Sequence, residues 1–127
     1  MSGPIVFISH NRVKAGKLEG FRRFFAEGSK AIEKDKPGTV VFLAYADEDG
    51  ANVDIVHLFP DAAAMDRHME GVAERVGASD EFIEGVGVEL YGSPSEPVLE
   101  MMRAFASPQA PLTVRPEPVG GYLRPGN

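Results

Sequence analysis

The order of strand-like and helix-like segments constrains the fold of this chain more than any other feature. Residues 5–13 alternate in the manner of a half-buried strand, and in residues 17–34 apolar residues recur every three or four positions, as in an amphipathic helix. The series continues with strands over residues 39–46 and 52–59, a helix over 62–76 and a strand over 86–92. This β-α-β-β-α-β order predicts an α+β fold, with one antiparallel sheet and both helices on a single face.

The second predicted strand is apolar on both of its faces. One face carries Val40, Phe42 and Ala44, and the other carries Val41, Leu43 and Tyr45. A strand with one face in water would place polar residues at alternate positions. We therefore expect a second copy of the chain to cover the sheet face opposite the helices, so that the protein is a homodimer.

Composition excludes several classes of function. The 127 residues predict one domain. A net charge of −6 with scattered Lys and Arg argues against nucleic-acid binding, which needs clustered positive charge. The longest apolar run, residues 40–46, is too short to span a bilayer, so no membrane partner is expected. The chain has no Cys, which excludes thiolate metal ligands and a cysteine nucleophile and fits the cytoplasm, the expected location.

The pattern changes after residue 92. Ser95 or Ser93 could cap a third helix over residues 96–106, and a Pro-rich segment from Ser107 onward favours an extended arm. Leu112 and Val114 could pair in that arm as an edge strand or as a strand exchanged between subunits. We expect residues 1–92 to form the main domain, and residues 93–127 to belong to the same domain or to the dimer interface.

The three histidines are the first candidates for chemistry. His10 ends the apolar part of the first strand, His57 lies near the end of the third strand, and His68 lies about two turns into the second helix. The first and third strands are expected to be parallel neighbours, so all three histidines could approach one region of the sheet edge. Asn11, Arg12, Tyr45 and Glu89 are the other polar residues expected to reach the sheet interior or its rim. Three histidines could ligate zinc or iron, but no compact His-x-His or His-x-x-x-His pattern occurs, and no metal is expected.

Each candidate has a structural interpretation beside the functional one. His68 could transfer a proton, or it could be a boundary residue that bonds a backbone carbonyl. His57 could simply be a hydrogen-bonded sheet residue, and His10 a surface residue at a strand end. Phe21, Phe25 and Met65 could line a cavity between helices and sheet, but their helical spacing equally fits core packing.

Several of these segments resemble the antibiotic biosynthesis monooxygenase family. The similarity spans about residues 5–92. The matching pieces are Phe7–Asn11, the segment Val13-Lys14-Ala15-Gly16-Lys17-Leu18, the turn Lys36-Pro37-Gly38-Thr39, and Phe59-Pro60-Asp61-Ala62 followed by His68.

The resemblance implies a ferredoxin-like subunit in a dimeric α+β barrel, with a pocket between sheet and helices. It implies oxygenation of a small aromatic, quinol-like or enolisable metabolite with no cofactor. His68 would then be the base or orienting residue, Asn11 would donate to a substrate oxygen, and His57 and Tyr45 would complete the lining. Haem degraders of the family use a tryptophan, which this chain lacks, so that branch is rejected. The alternative is a non-catalytic small-molecule-binding or stress-related homodimer with the same fold.

Overall fold

Helices and strands follow one another in the order that the sequence predicts. The computed structural model describes residues 3–124. Its elements are β1 (Ile5–Val13), α1 (Leu18–Asp35), β2 (Val41–Ala46), β3 (Asn52–Phe59), α2 (Ala62–Met69), α3 (Val72–Ser79), β4 (Ile83–Tyr91), α4 (Glu96–Phe105) and β5 (Leu112–Arg115). The α+β class and the β-α-β-β-α-β series are confirmed, with α2 and α3 together in the place of the second helix.

The strands form one sheet in the order β2-β3-β1-β4-β5 within residues 3–124. The expectation that the first and third strands are parallel is wrong, because β1 pairs antiparallel with β3, from Ile5 opposite Phe59 to Arg12 opposite Asn52. The cause is the β2–β3 hairpin. β3 runs antiparallel to β2 and is inserted between β2 and β1, so the end of β1 lies beside the start of β3 rather than beside its end.

The helices share one face of the sheet, and the core lies between them. Under α1, the side chain of Phe21 packs against Val53 and Ile83. A larger cluster joins the sheet to α2 and α4, and it contains Ile5, Phe7, Phe59, Leu90, Met65, Met69, Val98 and Met102. The helix after residue 92 is therefore part of the same packed core as the preceding strands and helices.

The predicted helix over residues 62–76 is broken into two. Asp61 caps α2, accepting a hydrogen bond from the Ala64 amide at 2.8 Å, and α2 ends before Glu70. Gly71 then adopts a left-handed conformation, with φ 79°, and is the residue from which α3 begins. The guanidinium of Arg75 donates to the carbonyls of His68 and Glu70, which ties α3 to the end of α2.

The C-terminal elements close one edge of the sheet. Ser95 caps α4 by accepting a hydrogen bond from the Val98 amide. Residues 112–115 pair as a parallel edge strand with β4 of the same chain. Residues 116–124 contain no helix or strand, and Pro125, the last proline of the predicted arm, lies outside the described residues. None of the helices in residues 3–124 has both the length and the apolarity to cross a membrane.

The sheet face opposite the helices is apolar and open in the single chain. Its central residues are Val6, Ile8, Val41, Leu43, Tyr45, Val56 and Leu58. Leu43 is 48% exposed and Tyr45 is 63% exposed. We call this surface the open face.

Candidate functional site

Two histidines meet beneath the helices. His57 lies in β3, opposite Phe7 of β1 and Phe42 of β2, on the face that the helices cover. Its Nδ1 lies 3.0 Å from the Phe7 carbonyl oxygen, and since a carbonyl only accepts, Nδ1 is the protonated nitrogen. The imidazole also stacks on the Phe7 ring, with centroids 4.3 Å apart.

His68 approaches this ring from the last turn of α2. The two imidazole centroids are 5.2 Å apart, and Nδ1 of His68 shares a 2.8 Å hydrogen bond with the Thr39 hydroxyl. Phe42 and Phe59 flank the His68 ring at centroid distances of 5.6 and 5.2 Å. We call His57 and His68 the histidine pair. Both side chains are enclosed, with exposures of 6% and 3%.

Burial sets the charge of the histidine pair. Above all, removal from water lowers the pKa of His57 to about 4, although its bond to the Phe7 carbonyl opposes the shift. Burial also lowers the pKa of His68 to about 3, with further contributions from His57, Arg75 and Lys36. Both rings are therefore neutral at pH 7 and can each accept a proton or a hydrogen bond.

Two basic side chains surround the end of α2 next to His68. Arg75 bonds the carbonyls of His68 and Glu70, and Lys36 Nζ donates to the Arg67 carbonyl at 2.8 Å. Positive charge is favourable there because the carbonyl end of a helix carries partial negative charge. Neither basic residue was predicted for the site. A basic residue near a helix end is the only sequence signal, and it does not indicate which histidine lies beside it.

Asn11 does not join the histidine pair. Its side chain is buried on the helix-covered face, but its amide nitrogen donates to Ser9 and to the Val53 carbonyl at 3.2–3.3 Å. Asn11 lies opposite Val53, whereas His57 lies opposite Phe7, four residues away along β1. At about 3.3 Å per residue the separation is roughly 13 Å. The amide of Asn11 therefore stabilises the sheet at this end of β1.

The expectation that all three histidines approach one region is wrong for His10. Side chains alternate between the two faces along a strand, and His10 lies three residues after Phe7, whose side chain is on the helix-covered face. His10 therefore projects from the open face. Its Nδ1 lies 2.9 Å from Asp54 and its Nε2 lies 2.6 Å from Glu89. Burial acts to lower the pKa of His10, but the bonds to Glu89 and Asp54 outweigh it and raise that pKa.

Tyr45 also projects from the open face, opposite Asp54 on β3. It therefore lies on the same side of the sheet as His10 and not in the lining of the histidine pair. Glu89, which bonds His10, also accepts a 2.6 Å hydrogen bond from the Tyr91 hydroxyl. On the open face, Asp54, His10, Glu89 and Tyr91 thus form one hydrogen-bonded group.

The predicted lining residues are packed closely. The Phe25 ring stacks on Phe42 at 4.8 Å and so adjoins the histidine pair, Phe21 packs on Phe25 at 5.7 Å, and Met65 is fully buried in the core. Two open surface grooves lie elsewhere. One of about 710 Å³ runs along Gly20, Phe24, Gly28 and Phe82, and one of about 480 Å³ lies between residues 13–19 and 49–51. Within residues 3–124, no group of three or more His, Asp or Glu could hold a metal ion.

Comparison with solved structures identifies the fold. MupZ from Pseudomonas fluorescens is similar over 97% of this chain and 96% of its own, with 17% identity and a TM-score of 0.71. A proposed antibiotic biosynthesis monooxygenase from Bacteroides thetaiotaomicron is 20% identical over 69% of this chain and 85% of its own, with a TM-score of 0.57. Another, from Deinococcus radiodurans, is 15% identical over 72% of this chain and 93% of its own, with a TM-score of 0.59.

These likenesses show that the chain has the fold of the antibiotic biosynthesis monooxygenases, the fold that the sequence resemblance implies. The match to MupZ covers nearly the whole chain, so it includes most of the segment after residue 92. No protein-family model matches the sequence, and no curated protein gives a significant match.

Proposed function

We propose that this protein is a monooxygenase-type enzyme that oxidises a small electron-rich phenol or enol with dioxygen and without a cofactor. One observation carries the proposal. The neutral imidazole of His68, hydrogen-bonded to Thr39, lies among phenylalanine rings that exclude water. The fold shared with the antibiotic biosynthesis monooxygenases supports it.

The proposed reaction requires a base in a site that excludes bulk water. A phenol that loses its proton can pass electrons to dioxygen, and the oxidation balances when ArOH and O₂ give a quinone and water. The substrate supplies every electron, and one oxygen atom enters the ring. His68 accepts the phenolic proton. An imidazole with a pKa of about 3 is a weak base, but a phenolate beside it raises that pKa because opposite charges favour each other.

A second copy of the chain completes the proposed enzyme. The open face carries Leu43 and Tyr45 largely exposed, and an apolar sheet face of this kind gains stability when it is covered. A symmetric dimer would bury the two open faces against each other. The helix-covered face, with its histidine pair, stays within each subunit.

The test compares oxygen consumption by wild-type protein and by His68→Gln and His68→Ala variants. With 1-naphthol as probe, oxygen uptake and 1,4-naphthoquinone formation should fall about 10²- to 10⁴-fold in both variants, the usual contribution of a general base. Arg103→Gln, on the exposed side of α4, is the control and should match wild type. Equal rates in His68→Gln would remove His68 from the mechanism, and no uptake by wild-type protein with naphthols or enolisable ketones would overturn the oxygenase.

A second function is favoured by the close packing of the histidine pair. Exposures of 6% and 3%, with Phe7, Phe42 and Phe59 in contact, leave the pair shut in by aromatic side chains. A non-catalytic small-molecule-binding dimer would have this property. It predicts that 1-naphthol raises the melting temperature of the protein with no oxygen consumed.

A further inference from the structure

The turn after α1 and the corner between α2 and α3 both contact His68. Thr39, Lys36 and Arg75 are half-buried there, whereas the ring of His68 is enclosed. Thr39 contacts that ring directly, while Arg75 bonds the backbone carbonyl of His68. We call these three residues the basic corner.

Arg75 retains unused donor capacity at the basic corner. Its two terminal nitrogens each donate to one carbonyl, on His68 and on Glu70, whereas a guanidinium offers five N–H donors. Among the ion pairs of residues 3–124, none involves Arg75. A partly buried guanidinium with no carboxylate partner favours an anion from outside, because burial removes the water that would otherwise compensate its charge.

Lys36 adds a second positive charge. Its Nζ donates to the Arg67 carbonyl, and the carboxylate of Glu70 lies 3.9 Å away but is mostly exposed. The charge of Lys36 is therefore only partly compensated. A local excess of positive charge stands out in a chain whose net charge is −6.

The charges of Arg75 and Lys36 also act on the histidine pair. Arg75 lowers the pKa of both His57 and His68, and Lys36 also lowers that of His68. A positive potential that disfavours imidazolium favours an anion at the same place. A guanidinium binds a carboxylate through two parallel hydrogen bonds, which fixes the orientation of the bound molecule.

We propose that the substrate is a hydroxylated aromatic acid, whose carboxylate is bound by Arg75 at the basic corner while its hydroxyl faces His68. This inference rests on the proposed function and names the substrate class of the same site. Arg75 is a binding residue that sets specificity, and Lys36 strengthens the potential. An uncharged derivative of the same compound, such as its amide, lacks the carboxylate that Arg75 would bind.

The test measures dissociation constants by calorimetry for 1-hydroxy-2-naphthoate and its neutral amide. Wild-type protein should bind the acid at least about tenfold more tightly than the amide, as expected for hydrogen bonds to a charged group. Arg75→Gln should lose that preference, and Arg75→Lys should keep part of it. Arg103→Gln is the charge-matched control and should bind like wild type.

Two further measurements separate binding from folding. Unfolding temperatures of the Arg75 variants report whether loss of the α2–α3 tie has damaged the structure, and Arg75→Lys retains a donor for those carbonyls. Imidazole NMR of wild-type protein should show the pKa of His68 rising when the acid binds, but not when the amide binds. A purely structural role for Arg75 would leave that ligand difference unchanged in Arg75→Gln.

The outcomes distinguish this inference from the proposed function. Equal affinity for acid and amide, no binding of the acid, or full affinity in a folded Arg75→Gln variant would overturn the anion site. Oxygen uptake with 1-naphthol and no preference for the acid would overturn the anion site alone. Selective binding of the acid without oxygen uptake would uphold the anion site and overturn the oxidation.

Discussion

The imidazole of His68 stands edge-on to the imidazole of His57, with an interplanar angle of 83° and a centroid distance of 5.2 Å. Within residues 3–124 neither ring pairs with a carboxylate, and each ring has a hydrogen bond through Nδ1, that of His68 to Thr39 and that of His57 to the Phe7 carbonyl. Two imidazoles this close in a dry site cannot both carry charge at modest cost. The fold therefore holds both of them neutral.

Acid should destabilise the protein through this pair. The native pKa values, about 4 for His57 and about 3 for His68, lie below the ordinary value of 6.5. Below pH 6.5 the two histidines of the unfolded chain bind protons while the native rings stay neutral. Their contribution to the free energy of unfolding is therefore fully present above pH 6.5 and decreases as the pH falls toward the native pKa values. The loss between pH 7 and pH 5 should be about 2 kcal/mol per histidine, measured by urea unfolding.

The control for the acid effect is His57→Phe, which keeps a ring to stack on Phe7 and removes one titrating group. The variant should lose less free energy of unfolding between pH 7 and pH 5 than wild type does. Carboxylates contribute equally to both proteins, so the difference isolates His57. An unchanged pH dependence would show that His57 is protonated normally in the native state.

The sequence predicts the fold well because periodicity is a local signal. Predicted bounds for β3 agree with the structure, and those for α1 are shifted by one residue at each end. The break between α2 and α3 was missed because the apolar residues Met65, Met69, Val72 and Val76 keep helical spacing on both sides of Gly71. Spacing alone does not reveal a break between two helices.

The candidate site was harder to predict because it depends on strand direction and on contacts between distant residues. His10 lies on the opposite face of the sheet from the histidine pair. In the first strand the polar residues His10 and Asn11 are adjacent and project from opposite faces, so the sequence does not decide which of them faces the core. Thr39 and His68 are 29 residues apart in the chain. Arg75 reaches the site from α3, seven residues after His68.

His10 should titrate in the opposite direction from the histidine pair. Because its pKa is raised by Glu89 and Asp54, its NMR titration midpoint should lie above 6.5, and Glu89→Gln should lower that midpoint. The stability it contributes is complete below pH 6.5 and is lost as the pH rises through its native pKa. Glu84→Gln, on the same strand but paired with Arg12, should leave the midpoint nearly unchanged. A midpoint at or below 6.5 in wild type would contradict the two ion pairs.

A pair of glycine substitutions tests the contact that places Thr39 beside His68. A Cβ on Gly38 would lie 2.8 Å from Cβ of Ala64 on α2, so Gly38→Ala should push the turn away and destabilise the protein by about 1–3 kcal/mol. Gly28, within α1, has nothing within 4 Å of such a Cβ, and Gly28→Ala should stabilise by about 0.4–1 kcal/mol. Urea unfolding measures both. Equal effects in the two variants would mean that the turn is not packed against α2.

Loss of self-association should follow from one charge on the open face. Leu43 is 48% exposed at the centre of β2, and Leu43→Lys places an ammonium group where the proposed second copy would pack. Val76→Lys, at a 55% exposed position on α3, adds the same charge on the opposite side of the molecule. Because Lys makes the net charge less negative, weaker association of Leu43→Lys would not reflect greater overall repulsion. Light scattering and sedimentation at micromolar concentration should show dimers for wild type and Val76→Lys and monomers for Leu43→Lys. A monomeric wild-type protein would mean that the open face meets water or a different partner, and the dimer would be abandoned.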